Sequence, residues 1–73
     1  MTRIAAIGER ERVHGFAFAG VHVAAVDQPD AALAAWRALP ADVGLVILTQ
    51  VAHTALAAEL SERDERLWVV MPG

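Results

Sequence analysis

The chain contains no cysteine and no lysine, and each absence excludes a class of sites. Without cysteine, no disulfide can stabilise the fold and no thiolate can bind zinc. Without lysine, there is no phosphate-binding loop of the Gly-Lys-Ser/Thr type. We therefore expect a core built by aliphatic packing alone, for which 56% hydrophobic residues are available.

Excess charge and long apolar runs are also missing. The 73 residues carry a formal net charge of −3, with scattered arginines, which argues against a nucleic-acid binder because no basic patch can release counterions. No apolar run approaches the roughly 20 residues that span a bilayer, and the N-terminus lacks the pattern of a signal peptide. We expect one cytoplasmic domain, residues 1–73, without membrane insertion. A chain this short buries only about 60% of its unfolded surface, so a partner would add stability.

Four short apolar runs predict four buried strands, at residues 3–7, 21–26, 45–48 and 67–71. They show no polar alternation, which is typical of parallel strands covered on both faces. Three helix-like segments separate them. A strand–helix order repeated three times before a last strand favours right-handed crossovers and the strand order 2-1-3-4. The expected fold is a three-layer, flavodoxin-like or Rossmann-like α/β domain, truncated after the fourth strand.

Each predicted helix has a start, a stop and an apolar face. The first follows a turn at residues 8–11, ends at Gly20 and has an apolar face that consists of Val13, Phe16, Ala17 and Gly20. The second is expected to be capped by Asp27 and to stop at Pro40, before a turn at 42–44. Its buried face consists of Ala32, Trp36 and Leu39. The third is expected to be capped by Thr49 and to run to about Glu62, before a charged turn at 61–66. Its buried face consists of Ala52, Leu56 and Leu60.

No residue pattern indicates catalysis or a cofactor. The turn after the first strand has one glycine, Gly8, where a dinucleotide site needs three. Glu9 and Glu11 could resemble the acidic metal site of a receiver domain. A receiver also needs an aspartate after the third strand, where this chain has Leu48, Thr49 and Gln50. The expected role of the acidic turn is therefore a solvated helix N-terminus.

The histidines do not change this interpretation. His14, His22 and His53 show no ligand spacing on a shared element and have no nucleophile nearby in sequence. We expect no catalytic residue and no metal ligand. A binding module fits best, and the alternatives are a receiver-like regulatory interaction domain without a phosphoacceptor, or a small enzyme or nucleotide binder.

Two motifs in the first third of the chain are specific. I-A-x-I-G-E-x-E from residue 4 and G-F-x-x-A-G-V from residue 15 resemble the F subunit of the V-type (A-type) ATP synthases. The resemblance implies a non-catalytic central-stalk (rotor) component that binds the coiled-coil shaft, which is the D subunit, and helps couple ATP turnover to rotation and proton transport. It implies a cytoplasmic location, peripheral to the membrane through the complex. Ala17 and Phe18 depart from the arginine and leucine of the family pattern. Family members also continue into a helical tail beyond the position of Gly73, so the regulatory role of that tail is not carried over.

The topology predicts one uncovered half of a sheet face. The first helix covers strands one and two, while the other two helices lie on the opposite face. One alternating set in strands three and four should therefore be open. It contains either Val46, Leu48, Trp68 and Val70, or Leu45, Ile47, Leu67, Val69 and Met71. The sequence does not fix the parity, and we choose the set with Trp68. The predicted partner interface is Phe18, Val46, Leu48, Trp68 and Val70. We expect it to be covered by the stalk partner or, in isolation, by a second copy in a homodimer.

Overall fold

A computed structural model describes residues 3–60 and 66–72 of the chain. The strands are β1 (Arg3–Gly8), β2 (His22–Ala25), β3 (Val43–Leu48) and β4 (Leu67–Val70). The helices are α1 (Arg10–Val13), α2 (Pro29–Arg37) and α3 (Gln50–Leu56), and α1 continues into a 3₁₀ segment (His14–Ala19). In this part of the chain, no helix is long and apolar enough to cross a bilayer.

The strands form one parallel sheet in the order β2-β1-β3-β4, which confirms the predicted fold. Residues in register share a face of the sheet. Ala5, Val46 and Trp68 form one such row, and Ala6, Ile47 and Val69 form a row on the opposite face. These rows decide which side chains each helix covers.

Helices α2 and α3 pack together on one face and form the main core. The predicted inward faces are confirmed at Ala32, Trp36 and Leu39 and at Ala52 and Leu56, all of which are buried, while Leu60 is half-buried. They cover the side chains of Ala5, Ile7, Val46 and Leu48. Burial at the helical spacing i, i+4 explains why these segments are helical against this sheet.

The first helix is shorter than predicted. Only Val13 of its predicted face is buried, Phe16 is half-buried, and Ala17 and Gly20 are exposed. The 3₁₀ segment has three residues per turn, so the i, i+4, i+7 face does not persist. Gly20 ends the segment as predicted, with φ +79°, a left-handed conformation that glycine adopts without strain.

Three other boundaries correct the sequence-based predictions. The N-cap residue of α2 is Gln28 rather than Asp27, and the Gln28 side chain makes no capping hydrogen bond. Strand β3 begins at Val43, inside the predicted turn, because Val43 pairs with Arg3. Helix α3 ends at Leu56, where an i−3 bond from Ala57 to Thr54 tightens the last turn. Glu62 and residues 61–65 of the predicted charged turn lie outside the described residues.

Candidate functional site

The carboxyl ends of β1 and β3 meet at the centre of the sheet. The chain leaves β1 toward α1 on one face and leaves β3 toward α3 on the other. In open α/β sheets, this switch point is where a crevice opens and ligands bind. Any bound small molecule would therefore be expected beside Gly8, Glu9 and Thr49.

Thr49 occupies this position with a fully buried side chain. Its hydroxyl accepts a hydrogen bond from the Ala52 amide (3.2 Å), which caps α3 as predicted, and donates one to Glu9 Oε1. A Cβ at Gly8 would lie 2.9 Å or less from three Thr49 side-chain atoms. Gly8 is thus required for the close approach of Thr49.

Glu9 is held as a carboxylate. The Thr49 hydrogen bond chiefly lowers its pKa from 4.5, with further contributions from a bond to its own backbone amide and from the Arg12 charge. A carboxylate with a lowered pKa is a weak base, so this pair suits a structural link better than proton transfer. The sequence predicted a merely solvated acidic turn and missed the link between the ends of β1 and β3.

The other polar candidates lie apart on different elements. His14 Nδ1 is 3.1 Å from the Arg10 carbonyl oxygen, His53 packs against Trp68 with 5.2 Å between ring centroids, and His22 begins β2. Across residues 3–60 and 66–72, no three histidine, aspartate or glutamate side chains are grouped to hold a metal. A concavity of about 370 Å³ lies on the outer side of α3, lined by Gln50, Val51, Thr54 and Ala55. None of these four side chains is ionisable.

The alternating set that contains Trp68, which we chose as uncovered, is not the open one in β3. Val46 and Leu48 are fully buried beneath α2 and α3, so neither can contact a partner. Helix α1 and the 3₁₀ segment contact β1 and β2 on the opposite face. The larger apolar side chains of β1, β3 and β4 on that same face form the open face, which consists of Ile4, Leu45, Ile47, Leu67 and Val69. Leu67 is 72% exposed, Val69 49% and Ile4 40%, while Leu45 and Ile47 are half-buried.

The remaining predicted interface residues are exposed but separated. Trp68 and Val70 share the face of α3, yet each is 37% exposed because β4 is the edge strand beyond it. Phe18 is 91% exposed on the 3₁₀ segment, which contacts β2 at the other edge of the sheet. The structure therefore does not bring Phe18 next to Trp68. A partner role for these three residues stays a prediction.

Two arginines tie β4 to the rest of the domain, and sequence reasoning missed both. Arg66 donates to the carbonyl oxygens of Val43 (3.0 Å) and Pro40 (3.0 Å), and its guanidinium lies 5.9 Å from the Trp36 ring centroid. Arg12 donates to the carbonyl oxygen of Pro72 (3.0 Å) across the carboxyl end of the sheet. Such long-range contacts carry no local signal that could have revealed them.

Comparison with known proteins identifies a family. The sequence model described as "ATP synthase (F/14-kDa) subunit" matches residues 4–72 of the 73-residue chain. No curated protein and no solved structure matches the chain. Apart from Arg3 at the start of β1, the family match covers the four strands, both sequence motifs and the open face.

Proposed function

Because the chain belongs to the ATP synthase (F/14-kDa) subunit family, we propose that it is a non-catalytic central-stalk component of a V-type (A-type) ATP synthase. In this role it binds the coiled-coil shaft, the D subunit, and helps couple ATP turnover to rotation and proton transport. It works in the cytoplasm and is held at the membrane only through the complex. The alternative, a receiver-like regulatory interaction domain without a phosphoacceptor, would share the fold, and the family match over residues 4–72 favours the stalk role.

The open face supports a binding role. Ile4, Leu45 and Leu67 lie in register across three strands and form an apolar row without a covering helix among residues 3–60 and 66–72. Contiguous exposed apolar side chains mark interaction sites on small domains. A helix packed on a parallel sheet is the ordinary way to bury such a face. A coiled-coil shaft offers that helix, and we propose that it docks here.

The switch point supports a non-catalytic role. Thr49 and Glu9 are bonded to each other where a ligand would otherwise enter, and a larger residue at Gly8 would clash with Thr49. This arrangement joins two strand ends and gives rigidity to the sheet that carries the open face. A rigid surface loses little conformational entropy when it binds, which favours affinity.

Two charge substitutions at similarly exposed apolar residues test the docking face. Ile4 lies on the open face at 40% exposure, and Val51 lies on α3 at 50% exposure. Isothermal titration calorimetry measures binding to the coiled-coil shaft protein of the same ATP synthase. Ile4→Glu should weaken this binding by about tenfold or more, because docking would remove the new carboxylate from water.

The control variant Val51→Glu should bind within about twofold of the unmodified chain, since its site faces away from the shaft. Circular dichroism verifies that both variants are folded. Absence of binding by the unmodified chain would contradict the proposed function. Equal weakening by both variants would contradict the docking face but leave shaft binding intact.

A further inference from the structure

Among residues 3–60 and 66–72, the outer edge of β4 lacks the features that normally protect an edge strand. All four residues of β4 are exposed, whereas those of β2 at the other edge are half-buried. Residues 67–71 contain no charge, proline or glycine. Natural edge strands are usually protected by lysine, proline, a bulge or a covering element. The edge of β4 is therefore a template for a further strand.

The backbone groups that would receive this strand can be identified. The Met71 amide donates to the Leu48 carbonyl oxygen at 2.7 Å, so the odd-numbered residues of β4 direct their backbone groups toward β3. Backbone groups alternate along a strand, so Trp68 and Val70 direct theirs outward. Apart from the ladder between β3 and β4, no hydrogen bond among the described residues engages the amide or carbonyl of either residue.

We propose that the β4 edges of two copies of this chain pair antiparallel about a two-fold axis at Val69. Trp68 of each copy then lies opposite Val70 of the other copy. The outward amides and carbonyls of these residues form four hydrogen bonds in total between the two copies. Aromatic and β-branched residues form favourable cross-strand pairs. The two sheets become one continuous sheet of eight strands.

A second copy fits this edge because the segment is complementary to itself. The outward backbone groups of Trp68 and Val70 are placed symmetrically on either side of Val69. The segment carries no charge, so pairing two copies brings no like charges together. The Pro72 carbonyl is already bonded by Arg12, which limits pairing to residues 67–71. A paired strand also covers apolar side chains on both faces of β4, including half-exposed Trp68, whereas a helix on the open face covers only one.

One substitution removes an outward amide without breaking an identified bond in the single chain. Val70→Pro deletes a donor that faces away from the sheet, where proline is tolerated on an edge. Two bonds are lost per dimer, so sedimentation equilibrium should show dimerisation weakened by about 30-fold. Val70→Thr is β-branched and keeps the amide, and its dimerisation should stay within about twofold.

Hydrogen exchange locates the contact in the unmodified chain. NMR should show amides of Trp68 and Val70 becoming protected as the dimer forms, while those of Val69 and Met71 are already protected in the monomer. A chain that stays monomeric, or a dimer whose Trp68 and Val70 amides exchange as fast as in the monomer, would overturn the proposal. So would equal dimerisation of the two Val70 variants.

A second pair of variants applies if Val70→Pro does not fold. Val69→Lys places two like charges opposite each other on the axis, whereas Leu67→Lys places each charge opposite Met71 of the second copy. Val69→Lys should weaken dimerisation about two- to fivefold more than Leu67→Lys. Equal weakening would indicate packing through the open face and would overturn edge pairing.

Discussion

Replacing Thr49 with valine removes one hydroxyl and leaves the shape of the side chain almost unchanged. The Ala52 amide loses its cap acceptor, which costs about 1 kcal/mol. Glu9 loses the hydrogen bond from the Thr49 hydroxyl. This loss costs about 1 kcal/mol of stability, because water can partly replace the donor at a half-exposed carboxylate. We expect the free energy of unfolding to fall by about 2 kcal/mol at pH 7, and Tm to fall by about 10 °C.

The Glu9 part of this loss depends on pH. The folded-state pKa of Glu9 is lowered, so its contribution is fully present above the unfolded pKa of about 4.5 and is lost as the pH falls through the folded value. The difference between Thr49→Val and the unmodified chain should shrink toward the cap contribution of about 1 kcal/mol as acid protonates Glu9.

Urea unfolding from pH 7 down through the folded-state pKa of Glu9 measures the stability difference, and ¹³C NMR of the Glu9 carboxyl measures that pKa directly. Thr49→Val should raise that pKa toward 4.5. Thr54→Val, an exposed substitution on the same helix, should change neither quantity. An unchanged Glu9 pKa in Thr49→Val, or a stability difference that does not depend on pH, would show that the Thr49 hydroxyl does not stabilise the Glu9 carboxylate.

Other substitutions test the packing at the switch point and the contacts of β4 by urea unfolding. Gly8→Ala should cost about 2 kcal/mol because its Cβ overlaps a buried side chain, while Gly15→Ala, where a Cβ meets no atom within 4 Å, should be neutral or slightly stabilising. Equal effects at both glycines would contradict the close approach. Arg66→Met should cost about 2 kcal/mol because it releases backbone carbonyls, whereas Arg37→Met removes a surface ion pair worth less than about 1 kcal/mol. The reverse order would show that Arg66 does not hold the turn before β3.

The strand order and the helices of the main core followed from the sequence because both depend on local pattern. The buried spacing of Ala32, Trp36 and Leu39 marked one helix face, and four apolar runs separated by helical segments indicated a parallel sheet. Crossover handedness then assigned each helix to a face. These inferences needed no knowledge of distant contacts.

Parity and long-range polar contacts did not follow from the sequence. Every residue of β3 from Leu45 to Leu48 is apolar, so the pattern could not show which alternating set faced α3. The Thr49–Glu9 bond joins residues 40 positions apart. The sequence indicated only that Glu9 and Thr49 follow strands predicted to be neighbours, which did not identify a bond between them.

A photo-crosslinker placed at Leu67 in the intact ATP synthase tests docking at the open face most directly. Leu67 is the most exposed residue of the open face, and Val51 on α3 provides a matched apolar site on the other side of the sheet. Illumination should join position 67, and not position 51, to the coiled-coil shaft. Crosslinks to the shaft from position 51 alone, or from neither position in the assembled complex, would contradict it.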